Sequence, residues 1–369
     1  MKKIKVIDLF AGVGGLSYGF AHDPHFEIVA ANEILPAMAT AYGLNHPCVK
    51  VYNEDIRGLT ADRLRGDLGI RAGDVELLVG GPPCQAYSTV GKRLIDDPRG
   101  KLFQEYYRLL RELEPKFFLF ENVRGLLSMG GGELLPTIVA LFESLGYRVQ
   151  YRLLNAADYG APQIRERVIL VGSRLKTDFA YPPRTHRAAT EPIAPKLRPH
   201  LTLGEAIGDL PFIAAGESAT AYATAPQNDF QKLMRRNAPA ELRDHNAPRN
   251  NARLVRLMEL LPEGGSAHDL PAEFKPTSGY KNTYCRLWWD RPATTVTRNL
   301  GTPSSSRCIH PRAARALTTR EGARLQGFPD DYQFFGSRGE KNLQVGNAVP
   351  PLLSVPLAKA ILAAFRTED

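Results

Sequence analysis

Ile4-Lys5-Val6-Ile7-Asp8-Leu9-Phe10-Ala11-Gly12-Val13-Gly14-Gly15-Leu16 runs from a short apolar stretch into a turn that holds three glycines. Its first part is rich in β-branched residues and stops where the glycines begin, so 4–10 reads as a buried strand. Three glycines at a strand exit let the backbone turn tightly and leave N–H groups open to an anionic group. The same kind of short, bounded apolar run recurs at 26–31, 75–79, 117–120, 147–154 and 167–172. Helical spacing lies between them at 35–44, 101–113 and 134–145. Strands alternating with helices predict right-handed crossovers and a mainly parallel sheet covered on both faces. Ligands of such sheets bind beyond the carboxyl ends of the strands, which directs the search for chemistry to the loops after each strand.

Composition sets the outer limits. A chain of 369 residues with 43% apolar and 23% charged residues can bury a sizeable core, which excludes disordered, collagen-like and coiled-coil classes. No stretch approaches the roughly 20 apolar residues of a membrane span, and the basic start meets Asp8 too soon for a signal peptide, so a cytoplasmic protein is expected. Cys48, Cys84, Cys285 and Cys308 share no metal-ligand spacing, so no metal is expected and the thiols should be reduced. The net charge of +8 is unevenly placed: residues 1–173 hold 20 basic and 20 acidic side chains, so the surplus lies after them. A basic C-terminal half suits a polyanion. Five prolines between 181 and 200 rule out a regular element there and read as a crossing between domains. Beyond them the pattern is irregular, with short helices at 203–207 and 252–261. Leu353, Leu357, Ala360, Ile361, Ala364 and Phe365 form the stripe of a terminal helix docked on a core.

Several loops carry chemically capable residues. Glu33 closes the second strand and suits the paired hydroxyls of a ribose, and Asp55-Ile56 follows. With the glycine turn these fit an adenosine ligand, although Ser17 stands where a dinucleotide fingerprint has a third glycine or alanine. Gly80-Gly81-Pro82-Pro83-Cys84-Gln85 sets a thiol just past a strand, inside a turn stiffened by two prolines; a nucleophile needs such a fixed, partly exposed position. Glu121-Asn122-Val123 brings a carboxyl group to the same edge. Gln163, Arg165 and Arg167 open a further strand, where alternation predicts that they share one face.

In order and spacing, DLFAGVGG at 8–15, Glu33, Asp55-Ile56, GGPPCQAYS at 80–88, Glu121-Asn122-Val123, Gln163/Arg165/Arg167, RPATTVT at 291–297 and QVGNAVPP at 344–351 resemble the bacterial DNA (cytosine-5) methyltransferases. The resemblance spans roughly 4–174 and 286–366; Tyr87 departs from the usual Phe. It implies an α/β fold, a Rossmann-like sheet that binds S-adenosylmethionine, with a smaller, irregular target-recognition domain. The implied division is 1–174 for catalysis and cofactor, 175–290 for recognition, and 291–369 as a C-terminal segment whose last part returns to the catalytic domain. Cys84 would add to carbon 6 of a cytosine flipped out of double-stranded DNA, with Glu121, Arg165 and Arg167 as the other catalytic groups. Glu121 would be a carboxyl kept protonated by burial, and Arg165 would contact the cytosine carbonyl and activate the thiol. Phe10, Gly12, Gly14, Gly15, Leu16, Glu33, Asp55, Ile56, Pro82, Asn347 and Val349 would bind S-adenosyl-L-methionine, and Gln85, Ser88 and Gln163 the substrate. Gly91-Lys92-Arg93 would move over the DNA. Arg235, Arg236, Arg243, Arg249, Arg253 and the loop 298–307 are candidate DNA contacts. A monomer is expected, accompanied by a cognate restriction endonuclease. Three other readings stand beside this one. A tRNA cytosine methyltransferase would carry a Cys-Phe-Thr tripeptide, which this chain lacks; a silent DNA-binding relative would not need Cys84, Glu121 and Arg165; an oxidoreductase rests on the glycine turn alone.

Overall fold

The computed structural model describes residues 3–83, 101–176, 179–276 and 283–367. The chain divides into two compact units, Met1–Asn155 with Glu166–Pro183 and Leu353–Asp369, and Ala156–Arg165 with Arg184–Leu352.

Among the described residues, the first unit is built on seven strands: β1 (Ile4–Leu9), β2 (Phe26–Asn32), β3 (Lys50–Tyr52), β4 (Leu77–Gly80), β5 (Phe117–Val123), β6 (Arg148–Asn155) and β7 (Glu166–Ser173). Their order is β3-β2-β1-β4-β5-β7-β6. The pairings β1 to β2, β1 to β4, β2 to β3 and β4 to β5 are parallel, and β7 runs antiparallel to both β5 and β6. The chain therefore moves outward from β1 to β3 and returns on the other side of β1 with β4. That reversal is a topological switch point, and doubly wound sheets take their ligands beyond the carboxyl ends of the strands at such a point, here β1 and β4. Each expected strand is present, and β3 is an addition. One expectation fails: β7 starts at Glu166, so Gln163 and Arg165 precede the strand instead of sharing its face with Arg167. Their segment pairs elsewhere, with Gln163 bridging Ala293 and the Ile164 N–H donating to the Ala293 carbonyl at 2.8 Å.

The helices of this unit are α1 (Tyr18–Ala21), α2 (Pro36–Asn45), α3 (Ala61–Leu68), α4 (Lys101–Leu113) and α5 (Leu134–Glu143). α3 was not expected, yet its ends are well signalled: Thr60 accepts the Arg63 N–H at 3.2 Å, and Gly69 closes the helix at φ 62°. One face of the sheet is covered by an aromatic cluster. Phe142 of α5 meets Phe118 at 4.5 Å and Phe103 at 5.5 Å between ring centroids, and Tyr106 meets Phe120 at 5.2 Å. Each such ring contributes about 1.5–3 kcal/mol by burial. Phe117 points to the opposite face, where it meets Phe365 at 5.3 Å.

The second unit holds α6 (Leu203–Ile207), α7 (Asp229–Met234), α8 (Ala252–Leu260), α9 (Thr319–Gln326) and α10 (Arg338–Asn347). It also has two-residue to three-residue parallel ladders, β8 (His186–Arg187) with β9 (Arg198–Pro199) and β10 (Cys285–Arg286) with β11 (Arg307–Ile309). The proline-rich stretch is thus not wholly irregular, because a ladder this short needs few backbone donors. Every residue of α9 is buried. Its charges are paired internally: Arg315 donates to Glu321 at 2.8 and 2.7 Å, and Arg324 to Asp209 at 2.8 Å and Asp330 at 2.7 Å.

The last helix, α11 (Pro351–Arg366), carries the predicted stripe, with Leu353, Leu357 and Ile361 fully buried. Taken together, the helices between Arg338 and Arg366 are long and apolar enough to pass for a membrane span, contrary to the reading of composition alone. Most of the stretch is buried inside the protein, as in the core helix of a globular chain. Cys48, Cys285 and Cys308 are free thiols.

Candidate active site

The turn after β1 departs from ordinary backbone. Phe10 has φ 55°, Gly12 56° and Gly14 91°, values that cost an L side chain free energy and that glycine adopts readily. Open space surrounds the position a Gly12 side chain would take. The Gly12 N–H donates to Glu33 Oε2 at 2.9 Å and the Leu35 N–H to Glu33 Oε1 at 2.8 Å, so the Glu33 carboxylate ties the end of β2 to the turn. Glu33 is buried, which raises its pKa against the pull of these N–H donors. Asn32 donates to the Tyr52 and Glu54 carbonyls at 3.1 and 2.9 Å, holding the ends of β2 and β3 side by side. Asp55 accepts the Arg57 N–H at 3.0 Å and pairs with its guanidinium, whose hydrogen bonds hold the carboxyl down at about 2; Ile56 is buried. Gly15 and Leu16 are also buried.

Sequence reasoning missed three features here. Ile34, 55% exposed, offers an apolar surface directly after Glu33; its signal was an apolar residue at an acidic strand exit. Beneath the turn, Ser17 donates to the buried Asp8 and accepts from Tyr42 at 3.0 Å, while Asp8 Oδ1 has no partner among the described residues. Burial pushes Asp8 up to about 7. From α11, Ser354 accepts the Gly19 N–H at 2.8 Å and donates to the Leu16 carbonyl.

The second cluster lies at the ends of β4 and β5. Arg167 Nε donates to Glu121 Oε1 at 2.7 Å, and both side chains are nearly nine-tenths buried. Gly81 leaves room for this pair: a side chain there would begin 2.7 Å from Glu121 Oε2. Asn122 donates to the Pro82 carbonyl at 3.2 Å, so the segment leading toward Cys84 is fastened to the residue beside Glu121. The Glu121 carboxyl thus lies against a guanidinium as well as being largely buried. Cys84, Gln85, Tyr87, Ser88 and Gly91-Lys92-Arg93 lie outside the described residues.

In the second unit, Gln163 and Arg165 are buried and engaged. Gln163 donates to the Leu325 carbonyl at 2.9 Å and to Gln326 Oε1 at 2.7 Å, and accepts the Val296 N–H at 2.9 Å. Arg165 donates to the Val296 and Gly346 carbonyls at 2.7 and 2.8 Å, so its guanidinium joins the 291–297 segment to α10. Val349 is buried and Asn347 exposed at the end of α10. Of the candidate DNA contacts, Arg235 is committed to Asp209 at 3.1 Å and to the Tyr222 ring at 3.7 Å, and Arg253 to the Glu273 carbonyl at 2.6 Å. Arg236, Arg243 and Arg249 are exposed.

Residues 4–363 match the family model of C-5 cytosine-specific DNA methylases. Among curated relatives, the chain is 39% identical over 381 residues to the Type II methyltransferase M.DdeI of Desulfomicrobium norvegicum, covering 97% of this chain and 88% of the relative. It is 35% identical over 359 residues to the Type II methyltransferase M1.HphI of Haemophilus parahaemolyticus, covering 96% and 86%. A crystal structure described as a DNA modification methyltransferase encoded within an E. coli prophage superposes with a TM-score of 0.76 at 26% identity, over 99% of this chain and all of that one. DNMT2 of Spodoptera frugiperda, at 16% identity and a TM-score of 0.63 over 97% of this chain and 99% of that one, shares the fold.

Proposed function

The chain belongs to the C-5 cytosine-specific DNA methylases, and from that premise we propose that this DNA methyltransferase acts through a covalent bond between Cys84 and carbon 6 of a cytosine rotated out of duplex DNA. The observation that carries the reading is the Glu121–Arg167 pair, 2.7 Å long, beside Gly81 and three residues from Cys84 along the chain. It joins a carboxyl and a guanidinium at the sheet edge where the nucleophile's loop begins.

The first unit's residues fit S-adenosylmethionine. The turn is open at Gly12, Glu33 stands beside it, and Ile34 is exposed next to Glu33. Glu33 Oε2 accepts the Gly12 N–H and Oε1 the Leu35 N–H, and the carboxylate has acceptor capacity left for a ribose hydroxyl. Phe10 and Ile34 would lie against the adenine, Asp55 and Ile56 would flank it, and Gly12, Gly14, Gly15 and Leu16 would face the methionine portion. Pro82 completes the proposed set in this unit. When bound, the group supplies an electrophilic methyl on a sulfonium.

Carbon 5 of cytosine is a weak nucleophile. A Cys84 thiolate adding to carbon 6 pushes electrons toward carbon 5 and the ring nitrogen, and carbon 5 then takes the methyl group. Water then takes the carbon-5 proton, whose bonding electrons expel the thiolate from carbon 6 as the ring nitrogen returns its proton to Glu121, and the ring is restored. A free thiol of pKa about 8.5 is only a few per cent ionised at neutral pH, so a nearby cation is needed. We assign that part, and the contact to the cytosine carbonyl, to Arg167 in place of Arg165, because Arg167 lies beside Glu121 whereas Arg165 donates to the Val296 and Gly346 carbonyls. As the base enters, Glu121 would turn from Arg167, take up a proton from solvent and donate it to the ring nitrogen, and Gln85, Ser88 and Gln163 remain candidates for holding the base. Residues 175–290 would read the target sequence. The relatives' designation as Type II methyltransferases supports duplex DNA as substrate, a companion restriction endonuclease and a cytoplasmic location; a monomer suffices for one target base.

Mapping 5-methylcytosine in genomic DNA from a host that expresses the chain tests this reading. Modification of one sequence context, abolished by Cys84→Ser, is expected. Unmodified DNA, or a methyl group on the exocyclic nitrogen, would contradict it.

A further inference from the structure

Both tryptophans of the chain sit half-buried on the second unit, and each carries an arginine over its ring. Arg312 lies 4.0 Å from the Trp289 centroid and Arg291 5.3 Å from that of Trp288. Arg307 also reaches Trp288, at 4.5 Å, but donates to the Gly264 carbonyl at 3.1 Å and belongs to the framework.

The platform is fixed from below. The Trp289 and Arg291 carbonyls accept the Gly204 and Leu203 N–H groups, both at 2.8 Å, at the start of α6. Glu263 accepts the Trp289 N–H at 2.6 Å. His310 is buried, and burial drives its pKa down to about 3, so the ring is neutral. Its Nδ1 accepts the Arg312 and Ala313 N–H groups at 3.1 and 3.0 Å, which shapes the turn that presents Arg312. Phe212, 55% exposed, meets His310 edge-on at 5.5 Å and Trp289 at 5.7 Å.

A guanidinium laid on an indole keeps its donors in one plane, aimed outward, with part of its ordering cost already met. Arg312 is exposed and has no carboxylate partner among the described residues. The acid near Arg291 is Asp290, at 3.9 Å with side chains 64% and 79% exposed, a distance and exposure at which an ion pair contributes little. The contrast with Arg235, consumed by Asp209 and Tyr222, separates arginines that hold the fold from arginines that offer charge to a partner. Rigid, uncompensated guanidinium groups suit phosphate oxygens.

We propose that Arg291 and Arg312, seated on Trp288 and Trp289, are sequence-independent phosphate contacts of the second unit to duplex DNA. This rests on the reading of duplex DNA as the substrate. The test is the affinity of the full-length protein for a labelled random-sequence duplex, measured between about 50 and 200 mM salt. The slope of log affinity against log salt should become shallower by about 0.9 in Arg312→Gln and by about 1.8 in the double Arg291→Gln/Arg312→Gln variant. Affinity for S-adenosylmethionine and the melting temperature should not change. Arg312→Lys should keep the wild-type slope; a Lys variant that loses as much as the Gln variant would assign Arg312 a structural role and overturn the inference. Wild-type binding with an unchanged slope in the Gln variants would overturn it alone. A wild-type protein that binds no duplex would overturn the substrate reading and this inference with it.

Discussion

Phe142 in the first unit and Glu321 in the second are both buried, yet their surroundings have opposite chemistry. Five aromatic rings surround Phe142, whereas Glu321 is enclosed by the Arg315 guanidinium, the Thr318 N–H at 2.8 Å and His310. Hydrocarbon packing degrades gradually, because a cavity or a shape change removes contacts in proportion to its size. A buried ion pair fails abruptly, because removing one partner leaves the other charged and desolvated. The two units should therefore answer differently to equally small changes of side chain.

The largest effect is expected in the second unit. Glu321→Gln removes one charge and no volume, strands Arg315, and should lower stability by about 3–5 kcal/mol in chemical denaturation; a loss below about 1 kcal/mol would mean that the pair adds little and that apolar packing holds this unit too. Next comes a difference of sign with pH. Burial alone would raise Glu321 and Asp330, but Arg315 acting on the first and Arg324 on the second outweigh it and hold both below the ordinary range. Their contribution is present above the unfolded carboxyl pKa, about 4, and is lost as pH falls below it. Asp8 in the first unit is raised from 3.8 to about 7, so its contribution is complete below the unfolded value and is lost as pH rises through 7. Asp8→Asn should accordingly gain about 1–3 kcal/mol over the wild type at pH 8 and nothing near pH 4, read from melting curves across that range. The smallest effect belongs to Phe142→Leu, which keeps an apolar side chain in the aromatic cluster and should cost only about 1 kcal/mol.

The same contrast explains what could be read from the sequence. In the first unit, apolar periodicity and burial agree, so the runs at 4–10, 26–31 and 117–120 locate β1, β2 and β5 to within a few residues. β3 was missed because three residues carry no period, and α3 because five of its eight residues are charged or glycine, although Thr60 and Gly69 marked its ends. In the second unit charge does not mark the surface: the arginines and glutamate of Thr319–Gln326 are buried because Arg315 and Asp330, just outside the helix, and Asp209, more than a hundred residues away, pair with them. The candidate site divides along the same line. Glu33 follows β2 and Glu121 follows the apolar run of β5, where an acidic residue is visible. Arg165 and Arg167 could not be told apart by alternation, since the strand begins between them and the backbone carbonyls that take up Arg165 lie more than a hundred residues away.

The central claim concerns the thiol of Cys84. Once genomic mapping has given the target sequence, a duplex carrying 5-fluorocytosine at that position, incubated with the protein and S-adenosylmethionine, should yield a denaturation-resistant adduct. Fluorine cannot leave as the ring proton does, so the covalent bond persists. Peptide mapping should place the DNA on Cys84, and Cys84→Ser should give none. Normal methylation of unmodified duplex together with no adduct on the fluorinated one, or an adduct on another residue, would contradict the account.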